Sequence, residues 1–245
     1  MEKKKKEITG STWNVTTGCT KVSEACRNCY AEKMALRLKA MGQEKYRNGF
    51  MLTLHPSTLD TPYRWKKPRI IFVNSMSDMF HEDIPVDYIR KVFAVMNNNP
   101  HHIFQIVTKR SHLLQKYDHD GLINWTPNIW MGVTVENRDA MKRVAYLKQT
   151  GARIKFLCCE PLLEPLPFLD LDGIDWVITG GESGYNARPM KKEWVKDILG
   201  QCRSSNTHFY FKQWGGISKN MGGRELDGRT YTEMPPIHSA TIWRD

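Results

Sequence analysis

At 245 residues, 40% hydrophobic and 25% charged, the chain has the composition of a globular protein with one sizeable core, not of a disordered or fibrous one. No apolar run approaches the roughly 18 residues of a membrane span, and the opening residues, with Lys3, Lys4, Lys5 and Lys6, lack the apolar stretch of a signal peptide. The formal net charge of +10 disfavours a cationic partner and points to an anionic one, nucleic acid first, in a cytoplasmic setting where clustered cysteines stay reduced.

Residues 1–10 read as a basic N-terminal tail and 11–245 as a single α/β domain. Within it one unit recurs: an apolar, β-rich run, a polar elbow, then a helical pattern. A strand over 12–16 leads into a loop carrying Cys19, Cys26 and Cys29, followed by a helix over 32–40. The basic stretch Tyr63-Arg64-Trp65-Lys66-Lys67-Pro68-Arg69 mixes aromatics with cations, which suits nucleic-acid contact and a solvated loop equally. A strand over 70–73 runs into an elbow with Ser75, Ser77 and Asp78, then a helix over 86–96. A strand over 102–107 ends at Thr108, Lys109 and Arg110 before a helix over 111–117. The next runs over 129–133, with Thr134 and Glu136 in its elbow and a helix over 139–149. A strand over 154–158 reaches Cys159, Glu160 and Pro161. One over 176–179 reaches Gly180, Gly181, Glu182, Ser183 and Gly184, with a helix over 192–203. The last, over 208–211, ends at Lys212, Gln213, Trp214 and Gly215. From about 216 the text becomes an irregular closing segment.

Short apolar strands alternating with helices predict a parallel sheet covered on both faces. About seven such strands are fewer than the eight of a closed barrel. Polar residues gather just after the strands, where α/β folds place their sites.

Three cysteines on one loop predict a metal or cluster site, and three ligands leave one coordination position open. Cys26 and Cys29 form the close pair that zinc and iron–sulfur sites both use, while Cys19 returns through a flexible connection. Structural zinc would want a fourth ligand, for which His55 and His81 are the candidates. Cys158 and Cys159 end a strand, so their side chains alternate between faces. One of them reads as a small core residue, and Cys159 is a candidate catalytic hydrogen donor. Cys202 falls in a helical pattern and reads as core. The Gly180-Gly181-Glu182 elbow lacks the lysine of a phosphate-binding P-loop.

The strand, three-cysteine loop, helix and further β/α units resemble the radical SAM superfamily, and Cys26-Arg27-Asn28-Cys29-Tyr30-Ala31 is similar to the cysteine loop of its spore-photoproduct-lyase-like branch. A wider pattern resembles an uncharacterised family usually labelled as phage proteins: Phe72 to Phe80, Thr108-Lys109-Arg110, Glu160-Pro161-Leu162-Leu163, Gly180 to Gly184 and Phe211-Lys212-Gln213-Trp214-Gly215. The first resemblance implies a partial (β/α) barrel of about six to seven parallel strands. It also implies a [4Fe–4S] cluster on Cys19, Cys26 and Cys29. The open iron would bind S-adenosylmethionine, whose reductive cleavage gives a 5′-deoxyadenosyl radical, with a flavodoxin or ferredoxin as electron donor. The loop departs from the superfamily's usual spacing, since six residues separate Cys19 from Cys26. The Gly-Gly-Glu element also stands late in the chain, so its contact with the methionine amino group is not transferred to Glu182.

Within that expectation, Ser75, Ser77 and Asp78 are candidates for the methionine ammonium, and Lys109 or Arg110 for its carboxylate. Thr108 and Thr134 are candidates for the ribose, Glu136 and Glu160 for ribose or ammonium, and Gly180 with Glu182 for the pocket wall. Three functional readings follow: a radical SAM enzyme acting on a nucleic-acid or nucleotide substrate, a non-catalytic zinc protein that binds nucleic acid, and a barrel enzyme acting on a small metabolite.

Overall fold

The computed structural model describes residues 10–218 and 221–237; all of the predicted basic tail except residue 10 lies outside them. Seven strands build the main sheet: β1 (Ser11–Trp13), β4 (Ile70–Val73), β5 (Ile103–Thr108), β6 (Ile129–Thr134), β7 (Ile154–Cys159), β8 (Trp176–Gly180) and β9 (His208–Gln213). They stand side by side in chain order, and every neighbouring pair is parallel. The sheet curls into a half-barrel, the partial α/β barrel that the sequence predicts. Helices α2 (Val86–Asn97), α3 (Ser111–His119), α4 (Lys142–Lys148) and α5 (Lys192–Ser204) fall within one to three residues of expectation, α4 beginning only after a 3-10 turn at Arg138–Met141. Among the described residues no helix is long and apolar enough to cross a membrane.

The predicted first strand divides in two. Only Ser11–Trp13 joins the main sheet, while β2 (Thr16–Thr17) pairs antiparallel with β3 (Thr53–Leu54). Asn74, just past β4, is the reason. With φ at 57° its side chain accepts from the Val15 and Thr16 amides, at 3.0 and 3.2 Å, and donates to the Thr16 hydroxyl at 2.8 Å. Those amides therefore bond to a side chain instead of a neighbouring strand, and the chain leaves the sheet. Asn is among the few residues that take this left-handed conformation cheaply.

Alternation along the strands sorts two apolar faces. Ile71, Val73, Phe104, Ile106, Met131, Val133, Leu157, Val177, Phe209 and Phe211 pack with helix residues such as Val92, Phe93, Leu114, Val144, Val195 and Ile198. The opposite, concave face carries a separate cluster of Ile103, Trp130, Phe156, Trp176, Ile178 and Tyr210, whose rings meet mostly edge to face. This plug fills the amino-terminal half of the lumen. Gly132 makes room for it, since a Cβ there would lie 2.5 Å from the Phe156 ring. Along the far edge, the Phe211 amide donates to Tyr231 O and the Glu233 amide to Phe209 O, so residues 231–233 cover β9 and blunt that edge.

Candidate functional site

The parallel strands send their polar elbows to one end of the barrel, above the aromatic plug. The cysteine loop joins this mouth by backbone bonds: Gly18 N donates to Met76 O at 2.9 Å, Cys19 N to Phe50 O at 3.2 Å, and Ser77 Oγ to Gly18 O at 2.6 Å. Only glycine fits at Gly18, whose φ is +82° and whose Cβ would meet Met51 O at 2.2 Å. Helix α1 (Tyr30–Ala40) then buries Ala31 and Ala35 against Met76, small residues that let it lie close over the β4 elbow.

Arg110, 1% exposed, braces the first cysteine. Its Nη1 donates to Cys19 Sγ at 3.4 Å and to Asp78 Oδ2 at 3.3 Å, its Nε to Glu82 Oε2 at 2.9 Å, and its Nη2 to Thr20 Oγ1 at 2.7 Å. Burial opposes the guanidinium's charge, yet Glu82, Asp78 and the thiol together raise its pKa. Asp78 is completed by the Thr108 hydroxyl at 2.6 Å and by the Phe80 and Lys109 amides, both at 3.0 Å.

A second brace holds the Cys26–Cys29 segment. Glu182 accepts from Asn28 Nδ2 at 3.0 Å, from the Arg188 amide at 2.9 Å, and from Arg188 Nη2 at 2.6 Å. Arg188 also reaches Glu24 Oε1 at 2.8 Å. The β8 elbow thus grips the Cys26–Cys29 end of the loop, as Arg110 grips the Cys19 end. It runs so close to the β9 elbow that a Cβ on Gly181 would lie 1.9 Å from Trp214 O.

The thiols differ in their surroundings. Burial, then Asp78, raises the Cys19 pKa against Arg110. At Cys26 burial is outweighed by Lys109 and by hydrogen bonds from the Val22 and Ser23 region, so its pKa is lowered. Among the described residues no three His, Cys, Asp or Glu side chains converge closely enough to hold a single metal ion.

Inside the mouth Cys158 continues the concave face above Phe156. Burial first, and Glu160 next, push its thiol up to about 12 against the pull of Lys212 and Lys109. Glu160 accepts from Lys212 Nζ at 2.7 Å and from Gln213 Nε2 at 2.6 Å. Burial opposes the Lys212 ammonium, but Glu160 and its bond raise its pKa overall. Tyr30 hydrogen-bonds through its hydroxyl to Ser75 O, and the residue as a whole is 59% exposed.

A cleft of about 710 Å³ opens beside this mouth, between the cysteine loop (Val22, Ser23, Glu24) and the β5 and β6 elbows (Lys109, Arg110, Glu136, Asn137, Arg143). Glu136 is fully buried; its Oε2 accepts from Arg143 at 2.7 Å and its Oε1 has no partner among the described residues.

Of the sequence candidates, Lys109 and Glu136 line the cleft, and Cys158 rather than Cys159 faces the lumen. Cys159, the candidate hydrogen donor, lies on the helix side at 0% exposure, and its pKa is raised by burial first, then by Cys158 and Cys202. Thr108 also points to the helix side and bonds Asp78. Thr134 is buried on the concave side, and its carbonyl holds Arg143 Nη1 at 2.7 Å. Ser75 Oγ bonds Asn14 at 3.1 Å. Gly180 stands beside Gln213 and Glu160. His55 bonds Thr17 at 2.8 Å, and burial, then Lys45, lowers its pKa to about 4; His81 bonds Thr20 at 3.0 Å and the Asp83 amide at 3.2 Å. Both rings are thus occupied within the protein. Residues to which the sequence assigned no site role are Asn28, Tyr30, Glu24, Glu82 and Arg188. For the first two, adjacency to Cys29 was the available signal; for the others there was none, because their partners are distant in the chain.

A curled, open parallel barrel with three thiols at its carboxyl-terminal mouth defines the architectural class. The chain belongs to the family described as Protein of unknown function (DUF5131), whose model matches residues 3–235. Among solved structures it is similar to a double mutant of spore photoproduct lyase with bound AdoMet and dinucleoside spore photoproduct, at 14% identity and a TM-score of 0.45, over 78% of this chain and 60% of that one. It is also similar to spore photoproduct lyase complexed with dinucleoside spore photoproduct, at 13% identity and a TM-score of 0.43, over 76% and 59%. The chain therefore spans about 60% of the length of these structures. No curated protein matches it.

Proposed function

We propose that this protein is a radical SAM enzyme whose Cys19, Cys26 and Cys29 hold a [4Fe–4S] cluster. The observation that carries the reading is the pairing of those thiols with two independent braces, Arg110 on Cys19 and Glu182–Arg188 on the Cys26–Cys29 segment. The donor set suits the group. Soft thiolates favour iron–sulfur clusters, and a cluster distributes three thiolates over three iron atoms, so they need not converge on one point as a single zinc would require. Arg110 supplies the hydrogen bond to sulfur that tunes such centres. When bound, the cluster and S-adenosylmethionine would supply reductive carbon–sulfur cleavage and a carbon-centred radical.

The chain's own residues then bind, orient and exclude water. Lys109, whose charge acts on both the Cys26 and the Cys158 thiol, supplies a cation for the methionine carboxylate, and the unpartnered Glu136 oxygen an acceptor for a ribose hydroxyl. Tyr30, Cys158, Glu160 and Lys212 line the lumen for substrate, with the aromatic plug beneath shutting out solvent. The net charge of +10 favours an anionic substrate, a nucleotide or nucleic acid. Reduction requires a flavodoxin- or ferredoxin-type donor.

Anaerobic reconstitution with iron and sulfide tests the reading. We expect about four iron and four sulfide per chain, broad visible absorbance, and S-adenosylmethionine cleavage on reduction, all lost in Cys26→Ala. Stoichiometric zinc without sulfide, and no affinity for S-adenosylmethionine, would overturn it in favour of a zinc-bearing binding protein.

A further inference from the structure

The basic stretch that precedes β4 cannot serve the cysteine mouth. In a parallel sheet the segment entering a strand lies at the opposite end from the elbow leaving it, so residues 63–69 occupy the amino-terminal pole. We infer that this strip is a second polyanion surface, a docking site for the phosphate backbone of nucleic acid, separate from the candidate active site and independent of the cluster reading.

The strip is rigid. A 3-10 turn at Pro62–Arg64 opens it. His101 Nε2 and the Trp65 carbonyl lie 3.3 Å apart, as do His102 Nε2 and the Pro62 carbonyl at 3.2 Å. The Arg69 guanidinium sits 5.1 Å over the Trp65 ring and donates to Ser11 Oγ at 2.9 Å. On that frame Arg64, Lys66 and Lys67 are exposed and take part in none of the ion pairs among the described residues. Asp60 is the one carboxylate between residues 55 and 69. Tyr63, 49% exposed, adds a ring at the same edge.

Closely spaced cations on a preorganised frame, with an aromatic edge and Asp60 as the one carboxylate in the stretch, suit phosphates and stacked bases. An isolated surface lysine offers no such repeat.

The test is fluorescence anisotropy with labelled duplex and single-stranded oligonucleotides of random sequence, across a salt series. The full chain should bind with a steep negative log–log salt slope. The triple variant Arg64→Gln, Lys66→Gln, Lys67→Gln should weaken binding about tenfold or more at low salt and flatten the slope by about 0.9 per lost duplex phosphate contact. Its thermal midpoint should not move, because all three side chains are exposed and make no ion pair among the described residues; a single Lys67→Glu variant should also weaken binding. Alkylating the cysteines of the metal-free protein should leave binding unchanged. Four results would each overturn the inference: no binding by the parent chain, equal affinity and slope in the triple variant, binding abolished by alkylation, or binding confined to phosphatidylserine vesicles.

Discussion

Arg110 Nη1 stands 3.4 Å from Cys19 Sγ, and the same guanidinium pairs with Asp78 and Glu82. One buried cation thus ties a thiol on the first loop to an elbow from the second sheet strand and to the start of α3. The arrangement makes the mouth stable and the cysteine immobile by the same contact. Arg110→Met should leave Asp78 buried without its charge partner and cost about 3–5 kcal/mol, read as a lowered urea midpoint. Arg110→Lys keeps the charge but lacks the planar fork, so it should recover only part of that loss; full recovery would show that the fork does not matter.

The second brace predicts acid sensitivity. Burial alone would raise the Glu182 carboxyl, but hydrogen bonds from Arg188 and Asn28 hold it below its ordinary 4.5. A carboxyl depressed in the folded state contributes stability above its unfolded value, and that contribution disappears as pH falls through the depressed value. Stability should therefore fall on acidification below about pH 4.5. Glu182→Gln should be weaker at neutral pH by about 1–3 kcal/mol and show a shallower acid slope. Parallel slopes in the two proteins, from thermal melts across pH, would contradict this.

Thiol reactivity should follow the local electrostatics. Cys26 has its pKa lowered, chiefly by Lys109 against burial, while burial and Glu160 push Cys158 up to about 12. Since the thiolate is the nucleophile, iodoacetamide should label Cys26 well before Cys158 in metal-free protein near neutral pH. Lys109→Met should slow Cys26 labelling, as followed by peptide mass spectrometry.

Gly181 tests how closely the last two elbows must approach. Any Cβ there would meet Trp214 O at 1.9 Å, a backbone atom that cannot rotate away. Gly181→Ala should destabilise by about 1–3 kcal/mol or more and loosen the neighbouring Glu182–Arg188 brace, seen as faster amide exchange at Arg188.

Much of the architecture was legible along the chain. Hydrophobic runs with polar elbows located the strands, and helical periodicity set α2, α3 and α5 nearly to the residue, because each element's pattern is local. The division of the first strand was not legible. It depends on Asn74, nearly sixty residues further on, capturing the Val15 and Thr16 amides. The faces of Cys158 and Cys159 were equally hidden: both sides of a parallel strand are apolar, so alternation says that they differ but not which one looks inward.

The sequence by itself determined the layered β/α order, the three thiols on one loop and the crowding of polar residues after the strands, since these follow from spacing of residue types. Only the tertiary structure decided which of those polar groups serve each other. It set Asp78 and Glu182 to brace the loop and left Glu136 with an unpartnered oxygen beside the cleft. It also sent residues 63–69 to the far pole. Such pairings join residues roughly thirty to one hundred and sixty positions apart, where no local pattern can carry the information and only the curl of the sheet brings the partners together.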